Sequence, residues 1–413
     1  MESFVKETSI PEKIDQEQRL AAEAQTAVVS SDAYLKAHGE TLTRTLDLDT
    51  WQPGTDLMQL YARLEQEVTD AVLKEHQYQK QIRQQIFPRL RSRAGAPKGA
   101  GVYRVPPDRL REVHLKLLFN GAVEACDGNV VSHDTLPVTI TQIGVCLVSY
   151  HGDQGSWVHR LYRRDLRAAG EDPVDETMKI LEARRRRGAQ DPSARDKMST
   201  LARRAIMAYA ERAVLLDRSN AVWRVGHGSP TPYELITGSG IPDLLRESLR
   251  LLRRLIDHEK FLFVPSSTSA RELLTIGNAL LPLEYAIVDT NQANLGRIAA
   301  GHYRGQEWGS LGHDVDRFVS QYGHKIVIGL YRASEQAPAR MFYAHVNYAH
   351  EAALIALADS VLQEHRGFPM LIDLADNLCT AAFGAEIFSA SAQVAYTRAG
   401  APFRYMAERG TRR

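Results

Sequence analysis

The period of apolar positions changes repeatedly along this chain, and each change marks an element. Leu57, Leu60, Leu64, Val68 and Val72 recur at spacings of three and four, which places them on one face of a helix. The polar run Gln77-Tyr78-Gln79-Lys80-Gln81-Ile82 carries that helix toward Pro88. Residues 1–93 therefore read as a helical N-terminal extension, rich in Glu, Gln, Ala, Lys and Arg and broken near Pro53-Gly54. Its apolar face either packs on its own domain or docks onto another subunit, and the pattern leaves both open. Residues 92–101, small and with one proline, form a linker.

After the linker the pattern becomes strand-like. Residues 118–127, 137–150 and 157–162 are apolar, β-branched runs on short connections, which predicts an antiparallel meander. Residues 174–212 turn helical and strongly basic. A strand over 213–217 then ends at Asp217, with 222–225 as its hairpin partner. An amphipathic helix over 244–256 leads to a short buried strand, 261–264, and a Ser/Thr-rich loop at 266–269. Residues 290–323 read as an irregular, glycine-rich surface insertion. Strands at 326–331 and 340–348 and helices at 350–364 and 371–396 close the chain. This order predicts a mixed α/β domain over 102–413, a central sheet flanked by helices.

Composition narrows the class. A chain of 413 residues with 44% hydrophobic and 24% charged positions has ample material for a core and is not of disordered type. The formal charge of +1 gives no global pull toward nucleic acid, so any such surface must be a local patch. Cys126, Cys146 and Cys379 lie in apolar runs without metal-ligand spacing, as reduced buried thiols do in a cytoplasmic protein. The N-terminus is too polar for a signal peptide, and no apolar stretch approaches the roughly 20 residues of a membrane span. The expectation is a cytoplasmic protein without a membrane partner.

Three carboxylates carry the candidate chemistry. Asp127 ends the run Gly121-Ala122-Val123-Glu124-Ala125-Cys126 and is followed by Gly128, whose bare backbone suits a sharp turn beside a substrate phosphate. Asp217 ends Ala213-Val214-Leu215-Leu216, and Asp376 sits in the helical stretch Leu374-Ala375-Asp376-Asn377. Singly, each is a turn residue or a helix cap. Together, carboxylates from two strand ends and a covering helix are how a fold gathers hard oxygen ligands around Mg²⁺ or Mn²⁺ for phosphodiester hydrolysis. Other motifs rank lower. Gly226-His227-Gly228-Ser229 lacks the strand-turn-helix setting of a nucleophile elbow, and Gly238-Ser239-Gly240 has no Walker lysine.

The order of elements resembles the NurA nucleases, whose catalytic domain is RNase H-like. Asp127-Gly128 matches the family's aspartate-glycine pair on its first strand, Val214-Leu215-Leu216-Asp217 its later metal-binding aspartate, and Asp376, after Gly367-Phe368-Pro369, its helical ligand. The family's aspartate-glycine-serine reads Asp217-Arg218-Ser219 here. Its glutamate, on the helix before that strand, falls where this chain offers Asp196 and Met198, with Glu182 and Glu211 farther off. Asp196 is taken for that role. A lysine after the buried strand falls at Val264, leaving Arg271 as the nearest basic residue.

The resemblance implies a Mn²⁺- or Mg²⁺-dependent DNA nuclease with Asp127, Asp217 and Asp376 as ligands. It also implies a homodimer working with a HerA-type hexameric ATPase in DNA-end processing or antiphage defence. A DNA path is expected along Arg184, Arg185, Arg203 and Arg204, with Arg218 and Arg271 near the site. The bland reading of such a run is a solvated helix face. The rivals are a catalytically degraded DNA-binding or regulatory subunit of such a motor, and an RNA-directed nuclease of the same fold.

Overall fold

In a computed structural model, residues 29–51, 57–135, 138–152, 155–165, 197–267, 270–302 and 309–403 are described, with isolated positions between 172 and 182. The chain divides into two compact units, Met1–Tyr78 and Gln79–Arg413. In the first, helices Ser31–His38 and Leu42–Leu46 are N-capped by the hydroxyls of Ser30 and Thr41. A 29-residue helix, α1 (Leu57–Gln85), follows and runs on into the second unit. Of the expected stripe on α1, Leu64, Val68 and Val72 are exposed.

The second unit is built on one nine-stranded sheet. Its strands are β1 (Gly101–Arg104), β2 (Val123–Asp134), β3 (Val138–Val148), β4 (Gly155–Asp165), β5 (Trp223–His227), β6 (Phe261–Val264), β7 (Glu284–Thr290), β8 (Ile326–Arg332) and β9 (Arg340–His345). They lie in the order β1-β7-β8-β9-β6-β5-β2-β3-β4. The meander β2-β3-β4 is antiparallel as predicted, while β5 and β6 continue from β2 in parallel. A meander followed by two parallel strands on the far side of its first strand is the RNase H-like arrangement. Parallel neighbours need crossovers. These are α2 (Lys197–Asp217), ahead of β5, and α3 (Pro242–Asp257), between β5 and β6.

Side-chain alternation assigns each helix to a face. Cys126 and Val145 join Leu215 of α2, Leu249 of α3 and Phe263 in one core. Val123, Ala125 and Val225 join Ala353 of α4 (Ala349–Ser360) and Leu371 and Ala375 of α5 (Met370–Phe383) in the other. The α3 helix shows why the pattern works. Pro242 sits in its first turn, and Leu245, Leu249, Leu252 and Ile256 are buried, while Arg246 and Arg250 pair outward with Asp243 and Glu247.

Four expectations are corrected. Residues 213–217 are the last turn of α2 and not a strand. The segment at 222–225 belongs to β5, which pairs in parallel with β2 and has no hairpin partner before it. Residues 290–323 are largely helical, with Gln292–His302 and Leu311–Tyr322 burying Leu295, Val315 and Phe318. Finally, Met370–Arg398 is by length and composition apolar enough to cross a membrane. It is two helices, α5 and α6 (Ala385–Arg398), separated by an extended Gly384, and α5 buries Leu371, Ala375 and Cys379 against the sheet.

Candidate metal-binding carboxylate site

Asp127 lies within β2, not at its end. Cys126 pairs with Gly226, and beyond this point the parallel ladder between β2 and β5 stops. Asp127 and His227 therefore stand side by side where the two strands part, on the face covered by α5. The Asp127 carboxylate is 7% exposed. Its Oδ1 accepts the Gly128 N–H at 2.8 Å, and its Oδ2 lies 3.7 Å from Nδ1 of His227. Burial, then the Asp376 carboxylate, pushes its pKa up to about 8 against the pull of the Gly128 N–H.

Glu211 of α2 approaches from the opposite face. A Cβ on Gly128 would stand 2.7 Å from Glu211 Oε1, so the glycine is required by this approach. Gly128 is thus an ordinary extended residue of β2 and makes no turn, contrary to the expectation from its place after Asp127. Burial raises Glu211 to about 7; the Arg212 guanidinium opposes this and Asp127 adds to it. Arg212 is itself buried and fixes the region. It donates to Glu211 Oε2 at 3.1 Å, Ala208 O at 2.7 Å, Pro230 O at 3.1 Å and Ser229 O at 2.5 Å, and lies over the Phe263 ring. One side chain therefore ties the Glu211 carboxylate to the segment that leaves β5 after His227.

Asp376 comes down from α5. Thr380, one turn on, donates to Asp376 Oδ1 and receives the Asn129 amide, both at 3.5 Å, linking the helix to β2. Partial burial raises the Asp376 pKa, His227 lowers it and Asp373 raises it. The start of α5 is anchored by buried Asp359, which accepts the Leu371 N–H at 3.0 Å and the Tyr150 hydroxyl. Asp373 is held by Arg366 and, at 2.6 Å, by Gln363. The Arg366 and Arg340 guanidiniums lie over the Phe368 ring, whose other neighbour is the edge-on ring of His227.

The structure thus brings Asp127 and Asp376 together and adds Glu211 and His227, which sequence reasoning passed over. Asp217 does not join them. It ends α2, half exposed and paired with Arg254 of α3. The end of α2 feeds the start of β5, whereas Asp127 and His227 lie at the finish of β5. Six residues of helix put Asp217 about 9 Å from Glu211 along the axis. In sequence, Gly228-Ser229 marks where the chain leaves β5. Once β5 is recognised as the strand, the glycine-serine follows His227, and Glu211 becomes the carboxylate on the preceding helix.

Asp196, Arg184 and Arg185 lie outside the described residues. Arg203 and Arg204 sit half-buried on α2, two turns before Glu211, while Arg218 is exposed beside Asp217 at the far edge. Arg271 is exposed at the start of the helix that follows β6.

Among the described residues, no three His, Cys, Asp or Glu side chains close to common ligand distance. The donor set nevertheless fits a hard divalent cation. Asp127 and Asp376 share the α5 face and Glu211 reaches the neighbouring Gly128 from the α2 face beside Arg212, and burial raises the proton affinity of each carboxylate.

An RNase H-like sheet with carboxylates from its first strand and two covering helices defines the class of this site. The sequence matches no family model and no curated protein. The structure resembles solved structures of NurA nucleases. It is similar to the NurA nuclease from Sulfolobus solfataricus over 83% of this chain and 98% of that one, with 10% identity and a TM-score of 0.41. It is similar to NurA bound to dAMP and manganese over 70% and 94%, with 8% identity and a TM-score of 0.36. A NurA structure with manganese gives 66% and 92%, 11% identity and a TM-score of 0.35. The likeness is loose, and the chemistry rests on the side chains.

Proposed function

We propose that this chain is a metal-dependent nuclease that cleaves DNA phosphodiester bonds. The observation that supports it is the company of Asp127: Asp376 of α5 stands near enough to add to the burial that raises its proton affinity, and Glu211, likewise raised by burial with Asp127 adding to it, reaches Gly128 from the other face. These residues would hold Mn²⁺ or Mg²⁺. Such an ion supplies Lewis-acid polarisation of the phosphate and lowers the pKa of water. The chain supplies the rest. Arg212 fixes Glu211, Thr380 orients Asp376, and the Gly128 N–H orients Asp127. Arg366, on the rim beside Phe368, lies where a substrate phosphate would meet positive charge.

A HerA-type hexameric ATPase as partner, a homodimer and a role in end processing or defence belong to the same reading and rest on the sequence resemblance. The test is cleavage of single- and double-stranded DNA with Mn²⁺ by the unaltered chain and by Asp127→Ala. Activity that is present and survives the substitution unchanged would discard this site. DNA binding without cleavage by the unaltered chain would favour the degraded, DNA-holding subunit instead.

A further inference from the structure

β4 is the outermost strand of the sheet and carries a surface that the carboxylate site does not use. Along the register, Asp127 pairs with Cys146 of β3, and Cys146 with Trp157 of β4. Paired residues share a face, so Trp157 stands on the face of Asp127, about 10 Å off at two strand spacings. Between them lies α5, whose Cys379 and Phe383 cluster with Cys146. Trp157, His159, Leu161 and Arg163 alternate along this face of β4. His159 is stacked on Phe383, with ring centroids 5.3 Å apart, and is thereby held at the flank of α5. Trp157 and Leu161, on either side of it, are 71% and 60% exposed. The strand itself is firm, because Val158 and Tyr162 pack from its other face into the core beneath α2.

We propose that this edge holds single-stranded DNA, stacking unpaired bases on Trp157 and meeting phosphates with Arg160 and Arg163. The choice of DNA rests on the nuclease reading above; the surface lies across α5 from Asp127 and is separate from the carboxylates. From Gly155 to Arg163 the charged side chains are all basic, in a chain whose formal charge is only +1. Arg203 of α2 stands near the Tyr162 hydroxyl, so the same sign continues on the other face of the strand. Successive side chains on one face of a strand are about 6.6 Å apart, twice the about 3.4 Å between stacked nucleotides. A ring in such a row can take the place of one base in a stack that has been drawn open. A single strand opens its stack at little cost. A closed duplex offers this edge only its phosphates and leaves Trp157 unused. Pairing of a second copy along β4 would set arginines against arginines, as charged edges do to prevent such pairing.

The experiment is binding of a fluorescent oligothymidine to the full chain in chelator, so that neither metal nor cleavage enters. The unaltered protein should bind it, and Trp157→Ala should weaken binding about tenfold. Trp157→Phe keeps a ring and should stay within about threefold, which separates lost stacking from a damaged fold. Arg160→Gln together with Arg163→Gln should make the salt dependence shallower, by about 0.7 in slope for each arginine. Binding of a duplex of matched length should be indifferent to Trp157→Ala. Equal losses for duplex and single strand, or no loss for either, would overturn the proposal. So would Trp157-dependent binding to phosphatidylglycerol vesicles with none to the oligonucleotide. Cleavage by the unaltered chain with Mn²⁺, beside unchanged affinity in Trp157→Ala, would strike this edge and leave the nuclease reading standing. Trp157-dependent binding without cleavage would keep the edge and strike the nuclease reading.

Discussion

Asp127 and Asp217 have the same credentials in sequence and opposite circumstances in the fold. Each follows a run of apolar residues, and each looks like the acid at a strand's end. Asp127 is buried among other carboxylates, with a pKa of about 8 and only a backbone N–H and Arg212 to favour its charge. Asp217 is half exposed at a helix terminus and has an arginine to itself. The first arrangement costs the metal-free fold stability, and a protein keeps such a cost where it serves chemistry. The second is an ordinary surface ion pair. What separates them is the helix between: α2 carries Glu211 toward Gly128 and delivers Asp217 to the opposite end of the strands, ahead of β5.

The sharpest way to break this comparison is to neutralise each acid in turn. Asp127→Asn should lower single-turnover DNA cleavage with Mn²⁺ by about a thousandfold or more, and Asp217→Asn should leave it within about twofold. Equal losses would return Asp217 to the site. The next largest effect is expected at Gly128. An alanine there sets its methyl 2.7 Å from Glu211 Oε1 and 3.0 Å from Met207 Cγ. Glu211 can swing its carboxylate away, so stability should fall by only about 1–2 kcal/mol while cleavage falls by about a hundredfold. Denaturant melts beside turnover rates check the split; a variant with normal rates would show that Glu211 is not needed where it stands.

The meander, the buried strand β6 and the α3 helix were legible because period and turn residues agreed there. Asp127 and Asp376 were legible as acids in such elements. Asp217 misled for a definite reason. Ala213-Val214-Leu215-Leu216 is a continuous apolar run, and such a run reads equally as a buried strand or as the last turn of a helix. Choosing the strand set the acid ten residues before His227, the residue that stands beside Asp127 in the fold. It also left Glu211 inside what looked like a solvated basic helix. Glu211 and Arg212 are in fact both buried, which no local pattern announces, because their burial follows from Gly128 letting the helix approach. The side-chain company of an acid is a tertiary fact.

That company also predicts a pH dependence. Asp127 and Glu211 have folded-state values of about 8 and 7, both above their unfolded values of about 4. A raised carboxylate value means the fold prefers the protonated form. The associated stability is fully present below about pH 4 and is lost as pH rises through 7 and 8. In the presence of chelator, the melting temperature should therefore fall by about 5 °C between pH 6 and pH 8.5. Asp127→Asn, which removes one titration, should halve the fall, and Asp217→Asn should not alter it. Added Mn²⁺ should restore the unaltered protein at the higher pH and do little for Asp127→Asn. A slope shared by all three proteins would show that the carboxylate cluster is not the origin.

The smallest effect is expected at the far edge, and it sharpens the comparison from the other side. Arg254 and Asp217 have 57% and 51% of their side chains exposed, so water screens their attraction and ordering two mobile chains offsets much of it. A double-mutant cycle with Asp217→Asn and Arg254→Gln should give a coupling of about 0.5 kcal/mol or less, shrinking further in high salt. A coupling of several kcal/mol would mean that this pair braces α2 against α3. Asp217 would then act on the site at a distance, by setting the height at which Glu211 meets Gly128. A small coupling leaves that height to Arg212, which binds α2 to the chain leaving β5 through the Ser229 and Pro230 carbonyls.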